Sequence, residues 1–130
     1  MKLKIVEKLI VVYMLLVFIA IVSGCRRGFE REAAAMTGGD PARGKTAINR
    51  YGCAACHQIP GVSGPQGLVG PPLAGVASRV YIGGALGNTP ANMIRWIQNP
   101  QAVDQKTAMP NLGVTDAEAR DVAAYLYTLK

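Results

Sequence analysis

The apolar positions of the chain are distributed differently in its first quarter and in the rest. Residues 9–22 form one uncharged run, LIVVYMLLVFIAIV, which follows a segment with three lysines and one glutamate. A basic segment before a short apolar run is typical of an export signal. The run has 14 residues, fewer than the roughly 20 that cross a bilayer as a helix. A retained anchor helix is therefore the alternative interpretation.

Three later segments carry helix signals. Asp40 as an N-cap and Pro41 at the first helical position predict a helix from about Pro41 to Tyr51. The second predicted helix lies in TPANMIRWIQNP, residues 89–100, with one proline at its start and another that ends it. The third starts at Thr115, where TDAE forms a capping box, and runs to the end of the sequence.

Between the first two predicted helices lies a long segment without a regular period. Residues 58–86 are rich in glycine and proline and contain few bulky apolar residues. A segment of this length without regular structure is uncommon in a small domain, so we expect it to be ordered by packing around a bound group. Small domains with poor cores usually recruit a metal, a disulfide or a cofactor. The pattern predicts an all-α fold of about three main helices, with long loops wrapped around a bound group.

The residues that carry chemistry cluster just after the first predicted helix, in CAACH at 53–57. Cys53, Cys56 and His57 form the C-x-x-C-H signature of c-type haem attachment. In that chemistry the two thiols form thioethers to the haem vinyl groups and the imidazole becomes an iron ligand. We expect one covalent haem c here. A redox dithiol, half of a zinc site and a disulfide hairpin beside a bystander histidine are the competing interpretations.

The remaining sequence weighs against two of these competitors. A thioredoxin-like dithiol requires alternating strands and helices around the cysteines, and the sequence does not show that pattern. The chain has three cysteines and one histidine. If Cys25 is used elsewhere, Cys53, Cys56 and His57 leave a zinc site one ligand short.

A second iron ligand from this chain is expected to be a methionine. His57 is the single histidine, and a thioether is the natural soft axial partner. Met93 stands at helical spacing and is expected in the core, whereas Met109 lies in the loop sequence KTAMPNLG beside Pro110. We therefore expect His57 and Met109 to be the two metal ligands.

The cysteine after the apolar run stands in the sequence VSGC, which resembles a bacterial lipobox. The resemblance implies that Cys25 is lipidated and becomes the N-terminus after cleavage, and two or more acyl chains anchor a protein stably. A small-residue cleavage site with an incidental cysteine is the alternative. We expect a lipoprotein-type signal peptide at 1–24, a flexible tether at 25–39 and a folded domain at 40–130.

Over residues 40–130 the chain resembles the class I cytochrome c family. The haem motif CAACH is followed by GPPL, WIQNP, AMP and VAAYL in the order and spacing of that family. The chain is similar in particular to the cytochrome c domains fused to subunit II of some bacterial haem-copper oxidases, although it lacks their copper-binding part. The resemblance implies a small cytochrome c fold around a covalently bound haem.

The resemblance also implies roles for further residues. Pro71 matches the residue whose carbonyl accepts a hydrogen bond from the proximal histidine, Arg79 a basic residue near a haem propionate, and Trp96 a large aromatic residue on the methionine side of the haem. Gly44 and Tyr125 match positions where the first and last helices of the family cross.

A haem with both axial positions filled has no open site for a substrate, so we expect an electron-transfer protein and not an enzyme. The expected function is that of a membrane-tethered monohaem carrier of single electrons between respiratory or photosynthetic partners. The donor would be a quinol-oxidising complex or another cytochrome, and the acceptor a terminal oxidase or reductase. A fixed haem c subunit of a larger oxidase or reductase complex is one alternative; a haem sensor or peroxidase-like enzyme is another.

These expectations place the protein outside the cytoplasm. We expect export and anchoring through lipid on the periplasmic or outer face of the bacterial cytoplasmic membrane, with the outer membrane as the alternative. The basic residues, which give a formal net charge of +6, are scattered without interleaved aromatic residues. No nucleic-acid partner is expected.

Overall fold

The computed structural model describes residues 2–130, with side chains from residue 6 onward except at positions 22, 23, 25 and 26. Most of its regular structure is helical, and the α-helices in chain order are α1 (Lys2–Thr37), α2 (Pro41–Arg50), α3 (Pro90–Gln98) and α4 (Asp116–Tyr127). A small antiparallel ribbon and three 3-10 turns complete it: β1 (Tyr81–Ile82), β2 (Leu86–Gly87), Cys53–Ala55, Val76–Ser78 and Pro100–Ala102.

The three helices predicted after residue 40 are present and begin at the predicted caps. The side chain of Asp40 accepts a hydrogen bond of 2.9 Å from the backbone N–H of Arg43, and Thr89 caps α3 in the same way. Thr115 and Glu118 form a complete capping box at the start of α4. The prediction of an all-α fold with long loops is confirmed, and the short ribbon is the part of the described structure that is not helix or loop.

Helix α4 is the centre of the fold, because α1, α2 and α3 all contact it. The helical spacing of Ala119, Val122, Leu126 and Leu129 predicts one buried face. The first three are buried, and Leu129 is partly buried against the core. Ala123 and Ala124 lie on other sides of the helix and are completely buried as well. Burial on several sides follows from the small side chains, which let neighbouring helices approach closely.

The crossing of α2 and α4 is fixed by close backbone contact and by charge. A Cβ atom on Gly44 would lie 1.9 Å from the carbonyl oxygen of Asp121 and 3.1 Å from the Cβ atom of Tyr125. The carboxylate of Asp121 accepts two hydrogen bonds of 2.8 Å from the guanidinium of Arg43 and one of 2.7 Å from the backbone N–H of Asp40. The bond from Arg43 lowers the pKa of Asp121.

The segment expected to be a flexible tether, residues 25–39, is helical as far as Thr37. Its last turns lie against α4. Ala33 and Thr37 are 1% and 2% exposed, so this part of α1 belongs to the folded domain. The sequence EREAAAMT explains the difference, since glutamate, arginine, alanine and methionine are strong helix formers.

Residues 29–37 form the docked end of α1, and Lys130 holds this segment in place. Lys130 Nζ lies 2.7 Å from Glu32 Oε2 and 4.6 Å from the ring centroid of Phe29. At the other end, Arg120 donates a hydrogen bond of 3.3 Å to the carbonyl of Thr37. Contacts from Lys130 near its start and from Arg120 at its end therefore hold the docked end of α1 in place.

The earlier part of α1 contains the apolar run. Its large apolar side chains between Leu9 and Ile21 are 37% to 66% exposed. Among the described residues, no helix reaches both the length and the apolarity that crossing a membrane requires. The side chain of Cys25, the expected lipid attachment point, lies outside the described residues, and the expected boundary between 24 and 25 falls within a continuous helix.

Candidate functional site

The C-x-x-C-H motif occupies a single turn directly after α2. Gly52 has a φ of 69° and, in this left-handed conformation, turns the chain into the 3-10 turn Cys53–Ala55. The backbone N–H groups of Cys56 and His57 both donate to the carbonyl of Cys53, at 3.2 and 3.0 Å. This compact turn therefore carries both cysteines and the histidine within five consecutive residues.

Hydrogen bonds and an ion pair connect α4 to the residues directly before this turn. Glu118 accepts a hydrogen bond of 2.6 Å from the hydroxyl of Tyr51, pairs with Arg50 and accepts one from the hydroxyl of Thr115 at 2.6 Å. The bonds from Thr115 and Tyr51 lower the pKa of Glu118 to about 2. The network links α4 to the residue that precedes Gly52 and so fixes where the motif starts.

Both thiols of the motif are free. Cys53 packs against the hydrophobic core, and burial raises the pKa of its thiol. A redox dithiol needs the opposite, because its attacking cysteine has a lowered pKa. The electrostatic setting of Cys53 therefore disfavours the redox-dithiol interpretation.

The imidazole of His57 is oriented by a backbone carbonyl. Its Nδ1 lies 2.8 Å from the carbonyl oxygen of Pro71, and a carbonyl can only accept, so Nδ1 carries the proton. Nε2 is then the atom with the free lone pair, and no described residue forms a hydrogen bond with it. This tautomer is the one that binds a metal through Nε2.

Two glycines that were not singled out from the sequence let the following loop lie directly on the motif. A Cβ atom on Gly70 would lie 2.3, 2.6 and 2.8 Å from Cε1, Nδ1 and Nε2 of His57. A Cβ atom on Gly67 would lie 1.9 Å from the carbonyl oxygen of Ala55. The signal that could have revealed them is the pair of glycines three residues apart in QGLVG.

The edge of the motif exposes large apolar side chains. Leu68 and Val69, between the two glycines that touch the motif, are 80% and 73% exposed. Apolar surface beside two free thiols and an imidazole with an available Nε2 is what a covalently attached haem would cover. The residues present therefore fit this group.

Arg79 is tied to the loop that carries Pro71. Its guanidinium donates to the carbonyl of Pro72 and, at 3.2 Å, to that of Ala74. The carbonyl of Arg79 in turn accepts a hydrogen bond of 2.8 Å from the side-chain amide of Asn88. The side chain thus braces the loop that orients His57, a contact that sequence reasoning did not anticipate.

Trp96 lies on α3 and supports the turn of the small ribbon. A Cβ atom on Gly83, which has a φ of 56°, would lie 2.6 Å from Cη2 of the indole. The ring is half-buried and packs against the hydrophobic core. No hydrogen bond among the described residues joins Trp96 or Met109 to the C-x-x-C-H turn.

The two candidate methionines lie in different environments. Met93 is 2% exposed and belongs to the core. Met109 is half-buried in the loop between the 3-10 turn Pro100–Ala102 and α4. Its backbone N–H donates to the hydroxyl of Thr107 at 3.2 Å, and its carbonyl accepts a hydrogen bond of 2.6 Å from Gln101 Nε2. Of the two, Met109 is the one whose side chain is not already committed to the core.

The part of the chain that includes this site is similar to known proteins. The sequence profile of the family described as Cytochrome c matches residues 41–130. A cytochrome c oxidase subunit 2 from Alkalihalophilus pseudofirmus is 32% identical over 91 residues, which make up 68% of this chain and 25% of that protein. The chain thus spans about a quarter of the length of this curated relative.

Proposed function

Because the chain belongs to the cytochrome c family, we propose that it is a membrane-tethered, monohaem c-type cytochrome that carries single electrons. Membership of the family implies haem and electron transfer. The observation that carries the proposal is the turn at residues 53–57, which holds two free cysteines and a histidine whose Nε2 is available.

In this proposal Cys53 and Cys56 would hold one haem through thioethers, and His57 and Met109 would supply the two protein ligands of its iron. When bound, the haem provides a one-electron iron couple. The carbonyl of Pro71 keeps the proton on Nδ1 of His57, which orients the ring and makes Nε2 a better electron donor. Two protein ligands leave no open site for a substrate, which argues for an electron carrier and against an enzyme.

Arg79 and Trp96 are proposed to surround the same group. Arg79 places a guanidinium on the loop after Pro71, where a cation stabilises a haem carboxylate by charge-assisted hydrogen bonding. Trp96 supplies a half-buried aromatic surface from α3. Both side chains also hold protein structure, so their substitution is expected to affect folding as well as haem properties.

The proposed partners are other redox proteins. The donor would be a quinol-oxidising complex or another cytochrome, and the acceptor a terminal oxidase or reductase. A relative described as cytochrome c oxidase subunit 2 supports an oxidase as acceptor. A fixed haem c subunit of a larger complex is the second candidate, and the docked end of α1 favours it because a helical connection restricts how freely the domain can reorient.

The proposed location is the outer face of the bacterial cytoplasmic membrane, with attachment through lipid on Cys25. The lipobox-like VSGC and the exposed apolar side chains between Leu9 and Ile21 support this. Cys25→Ser is expected to block both lipid attachment and signal removal. A wild-type membrane fraction that contains mature-sized protein without lipid would contradict the proposal.

Covalent attachment is tested on the denatured protein. Acidified organic solvent should fail to extract haem from the wild-type chain, because thioether bonds survive denaturation. Replacing both Cys53 and Cys56 by alanine should yield a chain from which any remaining haem is extractable. Extraction of haem from the wild-type chain would refute the proposed attachment.

The axial ligand is tested by two methionine variants. Met109→Ala should abolish the weak absorption band of a thioether–iron(III) bond near the red end of the visible spectrum and lower the reduction potential. It should also let the reduced protein bind carbon monoxide. Met93→Leu, a swap of similar volume in the core, should leave all three properties unchanged. The opposite pattern would show that the ligand is misassigned.

A further inference from the structure

The loop that carries Met109 is held by a side chain from outside the loop. Gln101 Nε2 donates a hydrogen bond of 2.6 Å to the carbonyl oxygen of Met109. The backbone N–H of Met109 donates to Thr107 Oγ1 at 3.2 Å, and the next residue, Pro110, has no N–H to offer. Both polar backbone groups of Met109 are therefore satisfied by side chains and not by regular secondary structure.

Gln101 projects from an anchored turn. Pro100, directly before it, is among the fully buried residues of the fold. The side chain of Asn99 accepts a hydrogen bond of 3.3 Å from the backbone N–H of Ala102, and the backbone N–H of Asp104 donates to the carbonyl of Pro100 at 2.9 Å. The backbone of this turn is thus anchored to the core, and the hydrogen bond from the Gln101 amide ties the Met109 backbone to it.

The other end of the same amide forms no hydrogen bond with any described residue. Oε1 of Gln101 is buried and has no partner among the described residues. A buried, unsatisfied amide oxygen destabilises a folded protein, and an apolar side chain of similar size would avoid that penalty. Packing alone therefore does not account for a glutamine at this position, whereas the bond from Nε2 to Met109 does.

We propose that Gln101 is a positioning residue for Met109. It fixes the backbone from which the thioether reaches the iron, and it thereby makes the sixth iron position more resistant to other ligands. The inference rests on the proposed function, in which Met109 is the axial ligand. A ligand held in its bound geometry before the bond forms loses less conformational entropy on binding, so the bond is stronger.

The test uses the purified, full-length, haem-loaded protein in its oxidised form. Imidazole is added, and loss of the thioether–iron band is followed in the wild-type protein and in Gln101→Leu, which removes both the donor and the unsatisfied oxygen. The variant should lose the band at an imidazole concentration about fivefold lower, the equilibrium effect of roughly one hydrogen bond. A purely structural role would lower the unfolding midpoint and leave the imidazole midpoint of the folded protein at the wild-type value.

Gln98→Leu is the matched control. Gln98 is also half-buried, and its Nε2 lies 3.5 Å from Asp116 Oδ1, so the same substitution is made without touching Met109. This control should titrate like the wild-type protein. If Gln101→Leu also titrates like the wild-type protein while Met109→Ala lacks the band, the inference about Gln101 is wrong and the proposed ligand stands. If Met109→Ala keeps the band, the axial ligand and the inference both fail.

Discussion

Replacing Gly70 by alanine tests whether the loop must lie directly on the imidazole of His57. The added Cβ atom would start 2.3 Å from Cε1, whereas real Cβ atoms essentially never approach closer than 3.0 Å. Either the ring or the loop has to move by about 0.7 Å. Such a shift lengthens the 2.8 Å contact between Nδ1 and the Pro71 carbonyl toward about 3.5 Å, where the hydrogen bond is lost.

The expected loss of stability follows from these two effects. Overpacking costs about 1–3 kcal/mol, and a lost hydrogen bond adds about 1 kcal/mol, so Gly70→Ala should lower the free energy of unfolding by about 2–4 kcal/mol. Guanidinium unfolding measures this change, and the absorption spectrum of the haem-loaded protein reports the altered imidazole. Gly70 has no positive φ, so backbone strain does not contribute.

Gly87→Ala is the control for this prediction. Gly87 also lacks a positive φ, and a Cβ atom there would meet nothing within 4 Å, so the free energy of unfolding should change by less than about 0.5 kcal/mol. If the two alanine variants have the same stability and the same spectrum, the loop does not constrain His57 and the reasoning is refuted.

Three further changes probe the framework around the site. Gly44→Ala should destabilise the domain by at least about 2 kcal/mol in chemical unfolding, because its Cβ atom would lie 1.9 Å from the carbonyl oxygen of Asp121; wild-type stability would contradict the helix crossing. The pKa of Glu118 is lowered from 4.5 to about 2 in the folded protein, so its contribution to stability is complete above about pH 4.5 and lost as the pH falls toward 2. Glu118→Gln should therefore be less stable at pH 7, and its difference from the wild type should shrink across that window; parallel stability curves would count against this. Lys130→Ala removes the ion pair with Glu32, so hydrogen exchange in the docked end of α1 should accelerate, with a loss of under about 1 kcal/mol in global unfolding; unchanged exchange would show that Lys130 does not secure the helix.

The helices after residue 40 could be predicted because their signals are local. Asp40 and Thr115 form their caps with residues three positions away. Because the partners are so close along the chain, the caps can be predicted from the sequence alone. The C-x-x-C-H motif is local in the same sense. Family resemblance then supplied Pro71, whose carbonyl the structure places beside His57.

What the sequence did not reveal depends on contacts between distant segments. In the sequence, Gly70 and Gly67 look like ordinary loop glycines. Only the structure shows that their backbone lies in close contact with the C-x-x-C-H turn. Periodicity in α4 predicted one buried face, but contact with three other helices buries Ala123 and Ala124 as well. The contact between Gln101 and Met109 spans an irregular loop, for which no periodic pattern exists.

The docked end of α1 would restrict the orientations in which the domain can meet a redox partner. With lipid on Cys25 as proposed, Phe29 lies four residues farther along the same helix, about 6 Å at 1.5 Å per residue. A random coil of 15 residues would instead let the domain sweep a radius of about 20 Å. A short helical stem leaves the domain little freedom to tumble, so it would present one side to the lipid and keep the motif at a nearly constant height. Its encounters would then resemble lateral diffusion in two dimensions, and only a partner whose own redox centre lies at the same height would meet it productively.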